Sequence, residues 1–319
     1  MQLALKIDVD TYEGIKNGAA RLASFLHSQK IPASFFVSLG PDNSGRAALR
    51  AFRQPGFLKK MMRTKAVSVY GLRTILSGTL LPGRSMGTSF GEQFRQWRAW
   101  GFEVGPHGYD HILWHDEAAN WDEQRASREL EKVTAVYRQI FGESPTSFAA
   151  PGWQAGEGTW KAMESLKLLY HSDTRGTHPY FPSPIPLPGE RASAAQGEGH
   201  LQTLEIPTTL PTWDEMLAWD GMSRDKLAGE TWKRLDPTRL NVWTIHAEFE
   251  GGAYFPQFHE FVEEAAREKL EWVFLPDHAR QLLSRREHVP CDTMKQGSLP
   301  GRAGTVTCQH APSTSLRAW

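Results

Sequence analysis

At 319 residues the chain is longer than most single domains, yet one α/β barrel reaches this size, and 40% hydrophobic with 23% charged residues is enough to bury a sizeable core. Lys plus Arg equals Asp plus Glu at 36 each, which excludes a global electrostatic pull toward nucleic acid or an acidic surface. The two cysteines, Cys291 and Cys308, have the spacing of neither a zinc site nor a disulfide framework, which fits a reducing compartment.

Met1 to Val9 opens as a short strand rather than as a basic segment followed by a long apolar run, so no secretion signal is expected. Leu3 to Val9 alternates as a barrel strand, Lys16 to Gln29 carries Ala19, Leu22 and Leu26 at helical spacing, and Ala33 to Leu39 reads as a second strand. Strands and helices then follow in turn at Phe102 to Gly105, Gln124 to Phe141, Ser147 to Ala150, Trp160 to Leu166, Leu240 to His246, Phe258 to Glu268 and Leu270 to Phe274. This alternation predicts one α/β domain over residues 1–290, built on a parallel sheet or barrel. Active sites of such folds gather where strands end, which is where Asp8, Asp10, His107, Pro151, Asp173 and His246 fall.

Two segments interrupt the alternation. Residues 43–91 contain no Asp or Glu, while basic residues from Arg46 to Arg84 interleave with Phe, Met and Leu. That composition predicts a basic amphipathic insertion resting peripherally on an anionic membrane surface, where each basic residue contributes about 1 kcal/mol. The plainer reading is a solvated helical hairpin packed on the barrel. Gly176 to Gly199 is rich in Pro, Gly and Ser and reads as a long loop. Residues 291–319 thin to Gly, Pro, Thr and Ser and are expected to be a weakly ordered tail. Nowhere does an apolar stretch reach the roughly 18 residues that a bilayer span needs.

The strongest local signal is Glu103-Val-Gly-Pro-His107-Gly-Tyr-Asp-His111. Two imidazoles four residues apart could fall on one side of a helical turn and chelate one metal ion. Near the N-terminus Lys6-Ile-Asp8-Val-Asp10-Thr closes a strand with two carboxylates that a β pleat puts on one face. Buried like charges repel unless a cation or a proton intervenes. A metal ion resolves the conflict: Asp10 joins His107 and His111 as a two-histidine, one-carboxylate face with sites left for water, and Asp8 stays free to take a proton. The bland alternative makes Asp8 and Asp10 caps of a helix starting near Glu13 and leaves the histidines as hydrogen-bonded core. It needs three separate segments to agree by accident.

A strand ending in Asp-x-Asp, a His-x-x-x-His and a late strand Trp243-Thr-Ile-His246 come in an order that resembles the polysaccharide (NodB-type) deacetylase family. Ile7-Asp-Val-Asp-Thr11, Gly40-Pro-Asp-Asn43, Tyr170-His-Ser-Asp-Thr-Arg-Gly176, Pro207-Thr-Thr-Leu-Pro-Thr-Trp-Asp-Glu215 and Thr244-Ile-His-Ala-Glu248 are more narrowly similar to its branch of lipid-linked formamido-sugar deformylases. The likeness spans nearly the whole chain. It implies a distorted (β/α)7 barrel. It also implies Asp8 as general base, Asp10, His107 and His111 as ligands of one divalent ion (zinc, cobalt or manganese), His246 as general acid, and Asp173 as the carboxylate that orients His246. An oxyanion would be held by the ion and by a backbone N–H of the turn Ala149 to Trp153. Many members brace the base with an arginine; here Ala149 takes that place, and Arg175 is the candidate substitute. Trp153, Arg175 and Glu248 are the expected substrate-binding residues, with Asp110 a candidate partner of the histidines and His115 a further candidate.

The reaction implied by the resemblance is removal of the N-formyl group from 4-deoxy-4-formamido-L-arabinose on undecaprenyl phosphate, releasing formate at the cytoplasmic face of a bacterial inner membrane. The freed amine would serve lipid A modification and polymyxin resistance. The enzymatic rival is an N-deacetylase of peptidoglycan or of an acetamido sugar. The non-catalytic rival is a membrane-surface or carbohydrate-binding protein on a decayed barrel.

Overall fold

The computed structural model describes residues 1–46, 77–79, 81–183 and 201–310. In its first half the chain forms β1 (Gln2–Val9), α1 (Ala20–Gln29), β2 (Ser34–Val37), α2 (Met86–Ala99), β3 (Glu103–Pro106), α3 (His111–Glu117), α4 (Glu123–Phe141) and β4 (Ser147–Phe148). There follow α5 (Glu157–Glu164), β5 (Tyr170–His171), β6 (Phe181–Ser183), β7 (Leu204–Glu205), α6 (Trp213–Met216) and α7 (Leu227–Trp232). The last part comprises β8 (Leu240–His246), α8 (Phe255–Arg267), β9 (Glu271–Val273), α9 (Leu275–Leu283), β10 (Cys291–Gly297) and β11 (Val306–His310).

β1 pairs in parallel with β8 from Gln2↔Leu240 to Asp8↔His246. Its other edge is shared, with Gln2 to Ala4 against β9 and Lys6 to Val9 against β2, which in turn pairs with β3. A second parallel ladder runs through β4, β5 and β7. Backbone hydrogen bonds span the two gaps between the ladders: the Ala149 N–H donates to Pro106 O (3.2 Å), and the Thr209 N–H to Val242 O (3.0 Å). Seven strands thus follow one another as β8-β1-β2-β3-β4-β5-β7 and back to β8, with the ladder interrupted at two seams. The expected parallel α/β architecture is present, and the distortion lies where the strands are shortest.

The pleat of β1 decides what faces what. Leu3, Leu5, Ile7 and Val9 pack outward into a core with Leu22 and Leu26 of α1 and with side chains of the other helices. Ala4 faces the other way, into a smaller cluster with Phe36, Ala149 and Tyr170, and Lys6 and Asp8 continue that face. Each helix is bounded by local chemistry. Asp122 caps α4 by accepting from the Arg125 N–H (2.7 Å), and Gly142, at φ 75°, ends it with an N–H to Arg138 O.

Two expectations change. Helix α2 begins inside the span read as a single basic insertion over 43–91 and runs past it, burying Phe94 and Trp97. Gly87 lets it approach α4, since a Cβ there would stand 2.5 Å from Val136 Cγ1. The expected weakly ordered tail is, through His310, an antiparallel hairpin of β10 and β11 whose first strand pairs with β6. Its polar strands satisfy specific partners: the Arg175 N–H donates to Thr307 O (2.9 Å), the Gln309 N–H to Arg175 O (2.7 Å), and Gln309 Nε2 to Asp292 Oδ2 (2.6 Å). Leu299 and Val306 pack on Trp153. The amphipathic segment at 47–76 and most of the long loop, 184–200, lie outside the described residues, as do residues 311–319. No helix among the described residues is long and apolar enough to cross a membrane.

Ending the chain after Pro290 removes Leu299 and Val306 from the core, at about 1.5–3 kcal/mol each. A loss of about 3–6 kcal/mol is expected in urea denaturation; an unchanged midpoint would show the hairpin to be dispensable.

Candidate functional site

The C-terminal ends of β1, β3 and β8 meet at one end of the ring. Asp8 and Asp10 leave β1 on its inner face, and His107 follows β3 directly. The two histidines do not share a helical turn. Gly108, at φ 76°, turns the chain, Asp110 caps α3 by accepting from the Ile112 and Leu113 N–H groups (both 3.1 Å), and His111 is the first residue of that helix. Asp110 therefore acts on the helix that carries His111. It also accepts from Asn43 Nδ2 (2.7 Å), which ties the segment after β2 to the same cap.

Asp10 Oδ1 stands 3.4 Å from His107 Nε2 and 3.4 Å from His111 Nε2. The ligand atoms of the three residues all lie within 4.8 Å of one another. His107 Nδ1 lies 2.8 Å from Ala149 O, which can only accept, so Nδ1 carries the proton and Nε2 presents its lone pair toward Asp10. Asp10 Oδ1 itself is buried with no hydrogen-bond partner. An orphaned carboxylate oxygen between two imidazole nitrogens fits a divalent cation of the zinc, cobalt or manganese kind. Burial opposes the charge on Asp10, but His111 and His107 hold its carboxyl below the ordinary range. Burial lowers His111, with Asp10 opposing.

Asp8 is 3% exposed, and its Oδ2 lies 3.4 Å from Lys6 Nζ and 3.9 Å from His107 Nε2. His246 is its register partner on β8. The His246 N–H donates to Glu250 Oε2 (2.9 Å), and its Nδ1 lies 3.7 Å from Asp214 Oδ1 at the start of α6. That separation is electrostatic rather than a hydrogen bond. Burial works against the imidazolium, yet Asp214, followed by Asp10 and Asp8, raises His246 to about 9.

Several expected partnerships are redistributed. Asp173 does not meet His246; its Oδ1 accepts from the Ala150 N–H (2.8 Å) and its Oδ2 lies 3.2 Å from His171 Nδ1, while the carboxylate facing His246 is Asp214. Arg175 is turned away from Asp8 into a buried pair with Glu215, at 2.8 and 3.0 Å, and donates to Leu210 O (2.9 Å). Glu248 is spent on the backbone: its Oε1 accepts from the N–H groups of Asp10 (3.2 Å) and Thr11 (2.9 Å) and from the Thr11 hydroxyl (2.7 Å). Gly14 is required beside it, because a Cβ there would fall 1.9 Å from Glu248 Oε1. Trp153 is buried behind the site with its ring 6.2 Å from that of His246, and its Nε1–H bonds Thr208 Oγ1 (3.1 Å). His115, one turn after His111, stacks at 6.4 Å from its ring and is bound to Asp116.

Asp214, Glu250 and Lys6 were not singled out from the sequence, although Asp214 sits in the block Pro207 to Glu215 and Lys6 in the first strand's motif. A second group, His171, Asp173 and Glu205, also brings ligand atoms within 4.8 Å. There the imidazole itself is the cation. Nδ1 contacts Glu205 Oε2, and Glu205 is otherwise filled by the N–H groups of Asp173 (3.0 Å) and Thr174 (2.9 Å). Burial would lower His171, but Asp173 and Glu205 raise it to about 10.

A family model described as polysaccharide deacetylase matches residues 4–171. The chain belongs to that family. A protein of Shewanella sediminis (strain HAW-EB3), named a probable 4-deoxy-4-formamido-L-arabinose-phosphoundecaprenol deformylase, is 32% identical, with 97% of this chain and 94% of that protein covered. A protein of the same name from Wigglesworthia glossinidia brevipalpis is 30% identical over 93% of this chain and 98% of its own. A crystal structure of a probable polysaccharide deacetylase from Pseudomonas aeruginosa PAO1 shares the fold with a TM-score of 0.56 at 18% identity, covering 90% and 91% of the two chains. As a polysaccharide deacetylase family member the chain is a hydrolase of the deacetylase and deformylase type.

The His171 group makes stability depend on pH. Its folded pKa, about 10, lies above the unfolded value of about 6.5, so its contribution is complete below the latter and fades as pH rises through the former. His171→Gln leaves two buried carboxylates uncompensated and should cost about 3–5 kcal/mol near neutrality. The gap to the wild type in urea denaturation should close toward pH 10. A gap constant from pH 6 to 10 would remove the charged imidazole.

Proposed function

We propose that the protein removes the N-formyl group from 4-deoxy-4-formamido-L-arabinose linked to undecaprenyl phosphate, working peripherally at the cytoplasmic face of a bacterial inner membrane. The observation that carries this reading is a buried carboxylate, Asp8, left outside a three-donor set of Asp10, His107 and His111 and facing His246 across the β1–β8 register. The two relatives named for this deformylation support the choice of acyl group and sugar.

Asp10, His107 Nε2 and His111 Nε2 would hold a divalent cation, whose chemistry when bound is to polarise the amide carbonyl and to acidify water. Asp8 accepts the proton of the attacking water, and its Oδ1, buried and without a hydrogen-bond partner, is the atom available for it. In the turn after β4 the Ala150 and Trp153 N–H groups are committed to Asp173 Oδ1 and Ala150 O, and Pro151 has none. The Gly152 N–H is thus the donor left to meet the carbonyl oxygen as it gains charge. With Nδ1 toward Asp214, His246 presents Nε2–H to the departing nitrogen. The C–N bond breaks, the water oxygen leaves in formate, and the amine takes the His246 proton.

A lipid-linked phosphosugar explains the acid-free basic stretch over 43–91, since a surface-bound enzyme gains from cations near anionic headgroups and the phosphodiester. At its edge, Arg84 pairs with Glu13 (2.7 Å) and lies over the Tyr12 ring at 3.3 Å, which fastens the insertion to the segment after β1.

Purified protein given the formylated lipid-linked sugar and its acetylated counterpart should release formate from the first and little acetate from the second. Turnover should rise when the vesicles carrying the substrate contain anionic lipid. Chelation should abolish it, and zinc, cobalt or manganese should restore it. Acetate without formate would overturn the deformylase assignment, and indifference to anionic lipid would overturn the surface role of the insertion.

The acid limb of the mechanism has its own test. An imidazolium held up to about 9 by Asp214 keeps its proton through neutrality and loses it above that range. Asp214→Asn should move the alkaline limb of kcat to lower pH by about one unit, because an opposite charge at this range shifts a pKa by roughly that much or more. A bound cation lowers the limb in wild type and variant together, so the difference is the reading. Superimposable profiles would detach Asp214 from the acid.

A further inference from the structure

Lysine is rarely found fully buried unless it is paired, and Lys6 has no exposed surface at all. It stands two residues before Asp8 on the same inward face of β1. Its ammonium donates to Ser172 O (3.1 Å), stands 3.4 Å from Asp8 Oδ2, and lies over the rings of Trp153 at 5.6 Å and Phe36 at 5.7 Å. Ser172 is itself fixed, since its N–H donates to Phe148 O (2.9 Å). The ammonium therefore crosses the ring interior from the first strand to the end of β5 and meets the carboxylate from below. No arginine among the described residues forms an ion pair with Asp8, and Arg175 is bound to Glu215.

Fold stability does not by itself call for the Lys6–Asp8 pair. Replacing a buried ion pair by well-packed apolar side chains is often neutral or stabilising, and the neighbours Phe36, Trp153 and Ala149 would accept an apolar side chain. We propose that Lys6 is the positioning residue of the base, its ammonium pinning Asp8 Oδ2 and leaving Oδ1 as the oxygen that receives the proton. The inference rests on the reading of Asp8 as the base. Lys6 forms no ion pair or hydrogen bond with Asp10, His107 or His111, and Asp8 is the site carboxylate it meets.

The test compares Lys6→Met, Lys6→Gln, Lys6→Arg and Asp8→Asn in the full chain, measuring kcat and KM for formate release, metal content, and Tm. Lys6→Met and Lys6→Gln should bind metal as the wild type does and hold KM within about twofold, while kcat falls about 100-fold, the lower range of what a positioned base contributes. Lys6→Arg, which keeps the charge, should recover kcat to within about tenfold of wild type. Tm should fall in Lys6→Met and recover in Lys6→Met with Asp8→Asn, where no charge is left uncompensated. Wild-type kcat in folded Lys6→Met, or loss that tracks metal content and KM, overturns the inference. If Lys6→Met does not fold, the Arg and Gln variants decide it: better kcat with Arg supports the brace, and equal loss overturns it. Full activity in Asp8→Asn instead sinks the reading of the base itself. If the wild type releases acetate and no formate, the same comparison is made on the acetylated sugar.

Discussion

Three carboxylates, Asp8, Asp10 and Glu248, converge where β1 leaves the ring, in surroundings largely stripped of water, and their mutual repulsion is the constraint that the neighbouring structure answers. Two unit charges 4 Å apart interact with about 4 kcal/mol at an effective protein dielectric, a large part of the stability of any domain. Each carboxylate receives a different answer. Asp8 has an ammonium beneath it, and Asp10 has two imidazoles and the space for a cation. Glu248 is surrounded by backbone donors, and burial followed by the charge of Asp10 pushes it up to about 7. The site is thus a set of anions that the fold has made unequal, and on the proposed reading that inequality lets one of them act as a base while another holds a cation.

Close backbone packing keeps the arrangement in place. A Cβ on Gly18 would stand 1.9 Å from Ala247 O, and one on Gly251 would stand 2.4 Å from Gly18 O. The turn after β1 and the turn after β8 therefore touch through bare backbone, which is what brings Glu248 to the N–H groups of Asp10 and Thr11. A larger residue at either glycine would part the first and eighth strand ends, and with them Asp8 from His246. The constraint on charge and the constraint on packing act on the same two turns.

How far the site could be read from the sequence follows from how local each relationship is. The period of two along Lys6-Ile-Asp8-Val-Asp10 puts these side chains on one face, as in the structure, and the spacing of His107 and His111 picks out two imidazoles that do stand together beside Asp10, although a glycine turn, not a shared helical turn, brings them there. Relationships around the ring were not legible. Asp173 and Asp214 are both acidic residues near strand ends, and nothing local says which one meets His246; the second sits in Thr212-Trp-Asp-Glu215, which reads as a helix cap. Arg175 reads from the sequence as a brace for Asp8 or a substrate contact, but Glu215, far along the chain, takes its guanidinium. The hairpin after Pro290 escaped notice because its strands are polar and its burial comes from packing on Trp153, again a distant partner.

Ala149 and Lys6 share the Phe36 ring as a neighbour in the inner cluster. Ala149 packs with Phe36 and Ala4 in the inner cluster, and its carbonyl accepts the His107 proton. Lys6 lies over the same Phe36 ring and over Trp153. A second cation beside the ammonium in that dry space would be repelled as strongly as the carboxylates repel one another. On the proposed reading the bracing cation comes from the strand that carries the base, so brace and base share one rigid backbone, and the turn after β4 is left to give its backbone groups to His107 and to the carbonyl.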